Sequence, residues 1–207
     1  MTTNTLTDNP LDRLYRARTM PEFIEVPAID FLRIDGHGDP NTSPTYAAAI
    51  QALYAVSYAA KFAIKKAGGE QFKVSALEGL WWSRDLSAFG GGDKSDWDWT
   101  MMIRQPPSVT ADMVERFAVE VATKKKLPAA RELRLESFEE GPAAQVLYIG
   151  PYADEGPTIA RLHEFIHEHG FTFDGHVHKH HEIYLGDPRR TKPEKLRTII
   201  RQPCRHP

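Results

Sequence analysis

VSALEGLWWSRD (residues 74–85) with DWTMMIRQP (98–106), and HKHHEIYLGDPR (178–189) with KLRTIIRQPC (195–204), are one passage written twice. Ile103-Arg104-Gln105-Pro106 returns as Ile200-Arg201-Gln202-Pro203. A glutamate stands in the apolar run upstream of each copy, Glu78 in LEGLWW and Glu182 in HEIYL. Two copies of one unit pack about a pseudo-twofold axis, and the crevice between them is a natural ligand site.

Outward from these passages the two halves keep the same plan. Residues 23–34 are strand-forming and interrupted by Pro27, which reads as one strand with a kink. After the turn 36–41, Ser43-Pro44 opens a helix that runs to about Lys66 and stops at Gly68-Gly69. Strands follow at 72–82 and 97–105, joined by the glycine-rich loop 87–95. A connecting helix occupies about 109–126. The second copy places strands at 133–139 and 144–149, a helix at 158–169, and strands at 176–185 and 196–201. The expected fold is α+β: duplicated β-α-β-β units forming an antiparallel sheet, with helices on one side and a pocket at the pseudo-twofold axis. Residues 1–21 are an N-terminal extension, and 22–207 one domain, with repeats at about 22–106 and 131–205.

Composition narrows the function classes. The 207 residues suffice for one duplicated domain, and a net charge of −2 argues against general affinity for nucleic acid. No stretch approaches the ~20 apolar residues of a membrane span. The first ten residues lack the plan of a signal peptide, and the single cysteine, Cys204, precludes an internal disulfide. These features point to a cytoplasmic protein with no nucleic-acid or membrane partner; the crevice between the copies makes a small molecule the expected partner.

Strand alternation sorts the candidate site residues by face. His178, His180, Glu182 and Tyr184 share one face, while His181, Ile183 and Leu185 take the other, which suits packing under helices. Laying the copies over one another places Glu78 on Glu182, with Leu80 and Trp82 on its face and Leu77 and Trp81 opposite. A glutamate among apolar strand residues is costly unless paired or protonated, so it suits a general base, a cation anchor, or an ion pair with Arg201 or Arg104 that only holds the sheet. Tryptophans 81, 82, 97 and 99 and tyrosines 46, 54, 58, 148, 152 and 184 could stack a planar ligand or simply fill the core.

Histidines 176, 178, 180 and 181, and the sequence His163-Glu164-Phe165-Ile166-His167, invite a zinc reading, because the latter matches HExxH literally. The short helix, with no third ligand at a telling spacing, favours solvated surface histidines. No metal and no organic cofactor are expected.

The segments 77–82, 98–106, 148–165 and 180–203, in this order, resemble the GyrI-like small-molecule-binding domains, in particular the stand-alone branch. That resemblance implies a pocket lined by aromatics with Glu182 at its floor, and a fold of the SHS2 type. In the family's transcription regulators this glutamate serves cationic, apolar drugs, whereas some stand-alone members hydrolyse cyclopropane-bearing alkylating toxins. No helix-turn-helix domain is present here. The expected function is therefore a detoxifying hydrolase for planar, aromatic electrophiles, the alternative being a non-catalytic sequestering or sensor module, and a zinc-dependent hydrolase a weaker third. Glu182 is the expected base and Tyr148 or Tyr184 the hydrogen-bond donor to a ligand carbonyl. Glu78, Trp82, Trp99, Tyr152, His180 and Tyr184 are the expected substrate-binding residues.

Overall fold

Ser43 starts the longest helix, α1 (Pro44–Lys66), by accepting a hydrogen bond from the Tyr46 amide at 3.4 Å. Gly68, at φ +77°, ends it in a left-handed conformation. The second copy repeats the device: α3 (Gly156–Glu168) ends at Gly170, φ +79°. These positions belong to a computed structural model that describes residues 10–83 and 94–207. Most of the glycine-rich loop expected at 87–95, and the start of the N-terminal extension, lie outside the described residues.

The strands are β1 (Glu22–Val26), β2 (Ile29–His37), β3 (Leu77–Ser83), β4 (Trp97–Arg104), β5 (Arg134–Phe138), β6 (Gly141–Ile149), β7 (His180–Tyr184) and β8 (Arg197–Pro203). The connecting helix α2 spans Ala111–Lys124 and is capped by the Thr110 side chain. All strands join one antiparallel sheet in the order β1-β6-β8-β7-β3-β4-β2-β5. Exchanging β1 with β5, β2 with β6, β3 with β7 and β4 with β8 reverses that order, so the pseudo-twofold passes between β3 and β7. The expected α+β architecture, an antiparallel sheet with helices on one side, is what the chain forms.

Three local readings change. The stretch 23–34 is two strands and not one kinked strand: Pro27 has no amide to donate, and the ladder breaks there. The halves then exchange edge strands, since β1 pairs with β6 of the second copy while β5 pairs with β2 of the first. Residues 71–76 carry no regular structure, so β3 begins only at Leu77. Residues 176–178, expected to extend β7, instead fold over Asp174, whose Oδ1 accepts from the amides of His176, Val177 and His178 at 2.9, 2.8 and 3.2 Å.

All three helices cover one face. Leu53, Val56 and Ala60 of α1 and Val114, Phe117 and Val121 of α2 pack on Ile34, Met101 and Ile103, while Leu162 and Ile166 of α3 pack on Val146 and Ile200. Each such side chain, fully buried, contributes about 1.5–3 kcal/mol. By length and composition α1 could cross a membrane, but its apolar side chains include this core-facing set.

The opposite face is covered by residues 10–19. A 3-10 turn, Pro10–Tyr15, buries Leu14 against Val26, Phe31 and Met102. Arg201 Nη2 donates to the Leu14 carbonyl at 2.7 Å, and the Leu147 amide donates to that of Arg18 at 2.7 Å. This part of the extension is therefore stitched to the sheet on the face opposite the helices.

Candidate ligand-binding site

At the centre of the sheet, residues paired across an antiparallel ladder project to the same side. Leu77 pairs with Tyr184, Gly79 with Glu182 and Trp81 with His180, so these six share the helix-covered face. Glu78 pairs with Ile183 and Leu80 with His181, which share the other. Glu182 and Tyr184 thus lie on the same side of β7 as the helices, whereas the alternation pattern had set them on the opposite side.

Glu182 is held by its neighbours on all sides. Its Oε1 lies 3.2 Å from His180 Nε2, and its Oε2 accepts from the Tyr184 hydroxyl at 2.7 Å. That hydroxyl in turn accepts from Trp81 Nε1 at 3.1 Å. The Glu182 side chain is 15% exposed. Burial alone would raise its pKa, yet the hydrogen bonds from His180 and Tyr184 and the charges of His180 and Lys94 outweigh burial and lower it. Glu182 is therefore an ionised carboxylate in aromatic surroundings.

Tyr46, in the first turn of α1, leans on Trp81 with centroids 5.9 Å apart and meets the edge of Trp99 at 5.2 Å. Tyr152 stands edge-on to Tyr184 at 5.6 Å and, 37% exposed, forms the solvent border. Burial and the nearby Glu182 charge push the Tyr152 hydroxyl up to about 12, so it stays protonated.

Glu155 completes the site. It is the N-cap residue of α3, only 4% exposed, and its carboxyl lies beside the Glu182 carboxylate and the Thr198 hydroxyl. Among the described residues, Glu155 Oε1 and Thr198 Oγ1 are both buried with no hydrogen-bond partner. Burial, reinforced by the Glu182 charge, pushes Glu155 up to about 9. The two carboxyls thus hold one proton between them near neutrality, on Glu155, as expected when like charges are buried together.

Of the expected site residues, Glu182, His180, Tyr184 and Tyr152 come together. Tyr148 projects to this face but donates its hydroxyl to the Pro151 carbonyl at 2.9 Å. Trp99 is 1% exposed; it donates to the Gly38 carbonyl and packs on Gly36, where a Cβ would lie 2.0 Å from its ring, so it backs Tyr46 and does not line the crevice. Glu78 and Trp82 lie on the other face. Superposing the ladders gives the reason: Leu77 pairs with Ile103 as Glu182 pairs with Ile200, so Leu77 is the counterpart of Glu182, and Glu78 that of Ile183. A one-residue slip in matching the copies moves every side chain across the sheet. Trp81, Tyr46 and Glu155, absent from the expected set of site residues, stand near Glu182 instead. Trp81 was accessible to strand alternation once the register was right; Glu155 was not, because an acid at a helix start is ordinary capping chemistry.

Glu78 instead belongs to a sealed network. Tyr15 donates to its Oε1 at 2.6 Å, and His181 Nε2 lies 3.1 Å from its Oε2. His181 Nδ1 lies 2.8 Å from Glu140 Oε1, and Arg201 Nη1 donates to Glu140 Oε2 at 3.1 Å. Burial would raise Glu140, but His181 and Arg201 hold it down at about 2. Trp82 lies under the Lys179 ammonium, 3.4 Å from its ring centre.

Of the HEFIH histidines, His167 is exposed as expected, whereas His163 is not. His163 sits between α3 and Phe173, 4.6 Å from that ring, and burial lowers it to about 4. Among the described residues no group of three or more His, Cys, Asp or Glu is arranged to hold a metal ion. Two surface clefts, of about 400 Å³ beside α2 and about 250 Å³ beside the end of α1, do not reach Glu182.

No curated protein matches the chain. Solved structures do, among them several from Listeria innocua. One, an uncharacterized conserved protein, is 40% identical with a TM-score of 0.84, and another, described as a hydrolase, is 39% identical with a TM-score of 0.81; each alignment covers 94% of this chain and 96% of the other. The C-terminal domain of EcmrR shares the fold at 10% identity, TM-score 0.53, over 91% of this chain and 98% of that one. Residues 19–205 match the GyrI-like small molecule binding domain, and the chain belongs to that family.

Proposed function

We propose that this protein is a hydrolase that opens cyclopropane-bearing, planar aromatic electrophiles, with Glu182 as general base. The observation that carries the reading is an ionised Glu182 fixed between His180 and Tyr184 within reach of Trp81 and Tyr46. The hydrolase from Listeria innocua, alike over almost the full length, supports the reaction class. Trp81 and Tyr46, packed on each other, form the aromatic wall against which the flat ligand lies, in place of Trp82 and Trp99. His180 and Tyr184 occupy one lone pair on each Glu182 oxygen, which leaves others to accept a proton. In the reaction Glu182 takes a proton from water, the water oxygen bonds to the strained methylene carbon, and the carbon–carbon bond breaks. Its electron pair passes through the conjugated ring to the ligand carbonyl oxygen, and the ring becomes aromatic. The protein supplies orientation and proton transfer to an already reactive molecule.

The test incubates the purified protein with a cyclopropane-containing, DNA-alkylator-like compound and follows the water adduct by mass spectrometry beside Glu182→Gln. Repeated turnover lost in the variant supports the reading. The rival is a binding module for cationic, apolar molecules, favoured by the same carboxylate among aromatic rings. It predicts no adduct, and loss of cation affinity in Glu182→Gln.

A further inference from the structure

The ring-opening step needs a partner for the ligand carbonyl oxygen, and both expected tyrosines are engaged. Tyr184 donates its proton to Glu182, and Tyr148 donates to Pro151. Glu155 is different. It is buried at the start of α3, and among the described residues its Oε1 and the Thr198 hydroxyl beside it meet no hydrogen-bond partner. Two buried, unmatched polar atoms cost free energy unless something polar meets them.

We infer that the buried Glu155 carboxyl, assisted by Thr198, is the hydrogen-bond and proton donor to a carbonyl oxygen of the ligand. The site thereby selects planar aromatics that bear a carbonyl conjugated with the strained ring. The selection is a property of binding and stands independently of turnover; the proton transfer rests on the hydrolase reading. Facing Glu155 are Glu182 from β7, Tyr184 at the end of that strand, Thr198 from β8, Tyr152 and Tyr148 near the start of α3, and Lys94 ahead of β4. Burial and the Glu182 charge outweigh Lys94, which keeps the acid protonated up to about pH 9. An apolar, anion-flanked setting that holds a carboxyl neutral for donation is established enzyme chemistry.

The balance closes without another reactant. Glu182 takes one proton from water while Glu155 gives one to the carbonyl oxygen, which becomes a phenol as the ring carbon receives hydroxyl. Glu182, now protonated, then passes its proton to the adjacent Glu155 carboxylate. Both residues return to their starting states, and the net reaction is ligand plus water.

The test compares binding of an unreactive planar aromatic ketone with that of its analogue carrying methylene in place of carbonyl, by calorimetry across pH. Wild type should prefer the ketone by about tenfold, the size of one hydrogen bond, and lose that preference above about pH 9. Glu155→Ala should abolish it. Glu155→Gln, still a donor and neutral at every pH, should retain it and lose the alkaline limb. A preference unchanged in Glu155→Ala, or a limb that survives in Glu155→Gln, overturns the inference. If the ketone preference behaves as stated but no water adduct forms, the hydrolase reading fails and the donor assignment stands.

Discussion

Gly79 stands directly opposite Glu182 across the central ladder, so the residue paired with the carboxylate contributes no side chain to the crevice. A Cβ at Gly79 would lie 2.8 Å from Trp81 Nε1 and 3.2 Å from Met101 Sδ. Gly79→Ala should displace the Trp81 indole, break its hydrogen bond to Tyr184, and weaken binding of planar aromatic ligands by about tenfold. Fluorescence titration, with circular dichroism to confirm the fold, measures it.

Glu182→Gln keeps the shape of the side chain and removes its charge and basicity. Under the hydrolase reading kcat should fall by about 10²–10⁴, the usual share of a general base, with little change in KM for a neutral substrate. Steady-state kinetics on the cyclopropane compound decide it.

Glu155 holds a proton in the folded protein up to about pH 9, against an ordinary value of 4.5. Between those values the folded state binds a proton that the unfolded state has released, so its contribution to stability falls as pH rises through this window. Glu155→Gln removes that dependence. The variant should gain on wild type from about pH 5 to about pH 9, reaching about 1 kcal/mol or more, as when a strained functional group is neutralised. Urea unfolding at both ends of the range gives the comparison.

Glu140 runs the other way. Held at about 2 by His181 and Arg201, it stabilises the fold fully above its ordinary 4.5 and ceases to as pH falls through about 2. Glu140→Gln should cost about 3–5 kcal/mol near neutrality, because the buried His181 and Arg201 lose their counter-charge. The urea midpoint should drop accordingly. The side chains of this network lie on the face of the sheet opposite Glu182, so ligand affinity of the folded fraction should be unchanged.

The repeated Ile-Arg-Gln-Pro, the capped helix after Ser43-Pro44, and the apolar runs around Glu78 and Glu182 were sufficient for the α+β class, the duplication and the central position of Glu182, because periodicity and capping are local properties of the chain. Matching alternation on β7 likewise grouped His180, Glu182 and Tyr184 correctly. Alternation cannot state which face a helix will cover, nor align two copies to better than one residue when the loops between them differ. That single residue sent Glu78 and Trp82 to the sealed side of the sheet and brought Gly79 and Trp81 to the crevice.

What the sequence alone determined is therefore the unit, its repetition and the carboxylate at its centre. Only the tertiary structure decided the chemistry around that carboxylate. Glu155 reaches Glu182 because α3 starts above β7 and β8, a relation between segments far apart along the chain, and it takes up a proton there because burial beside a second carboxylate leaves room for one charge only. No local pattern records that proximity.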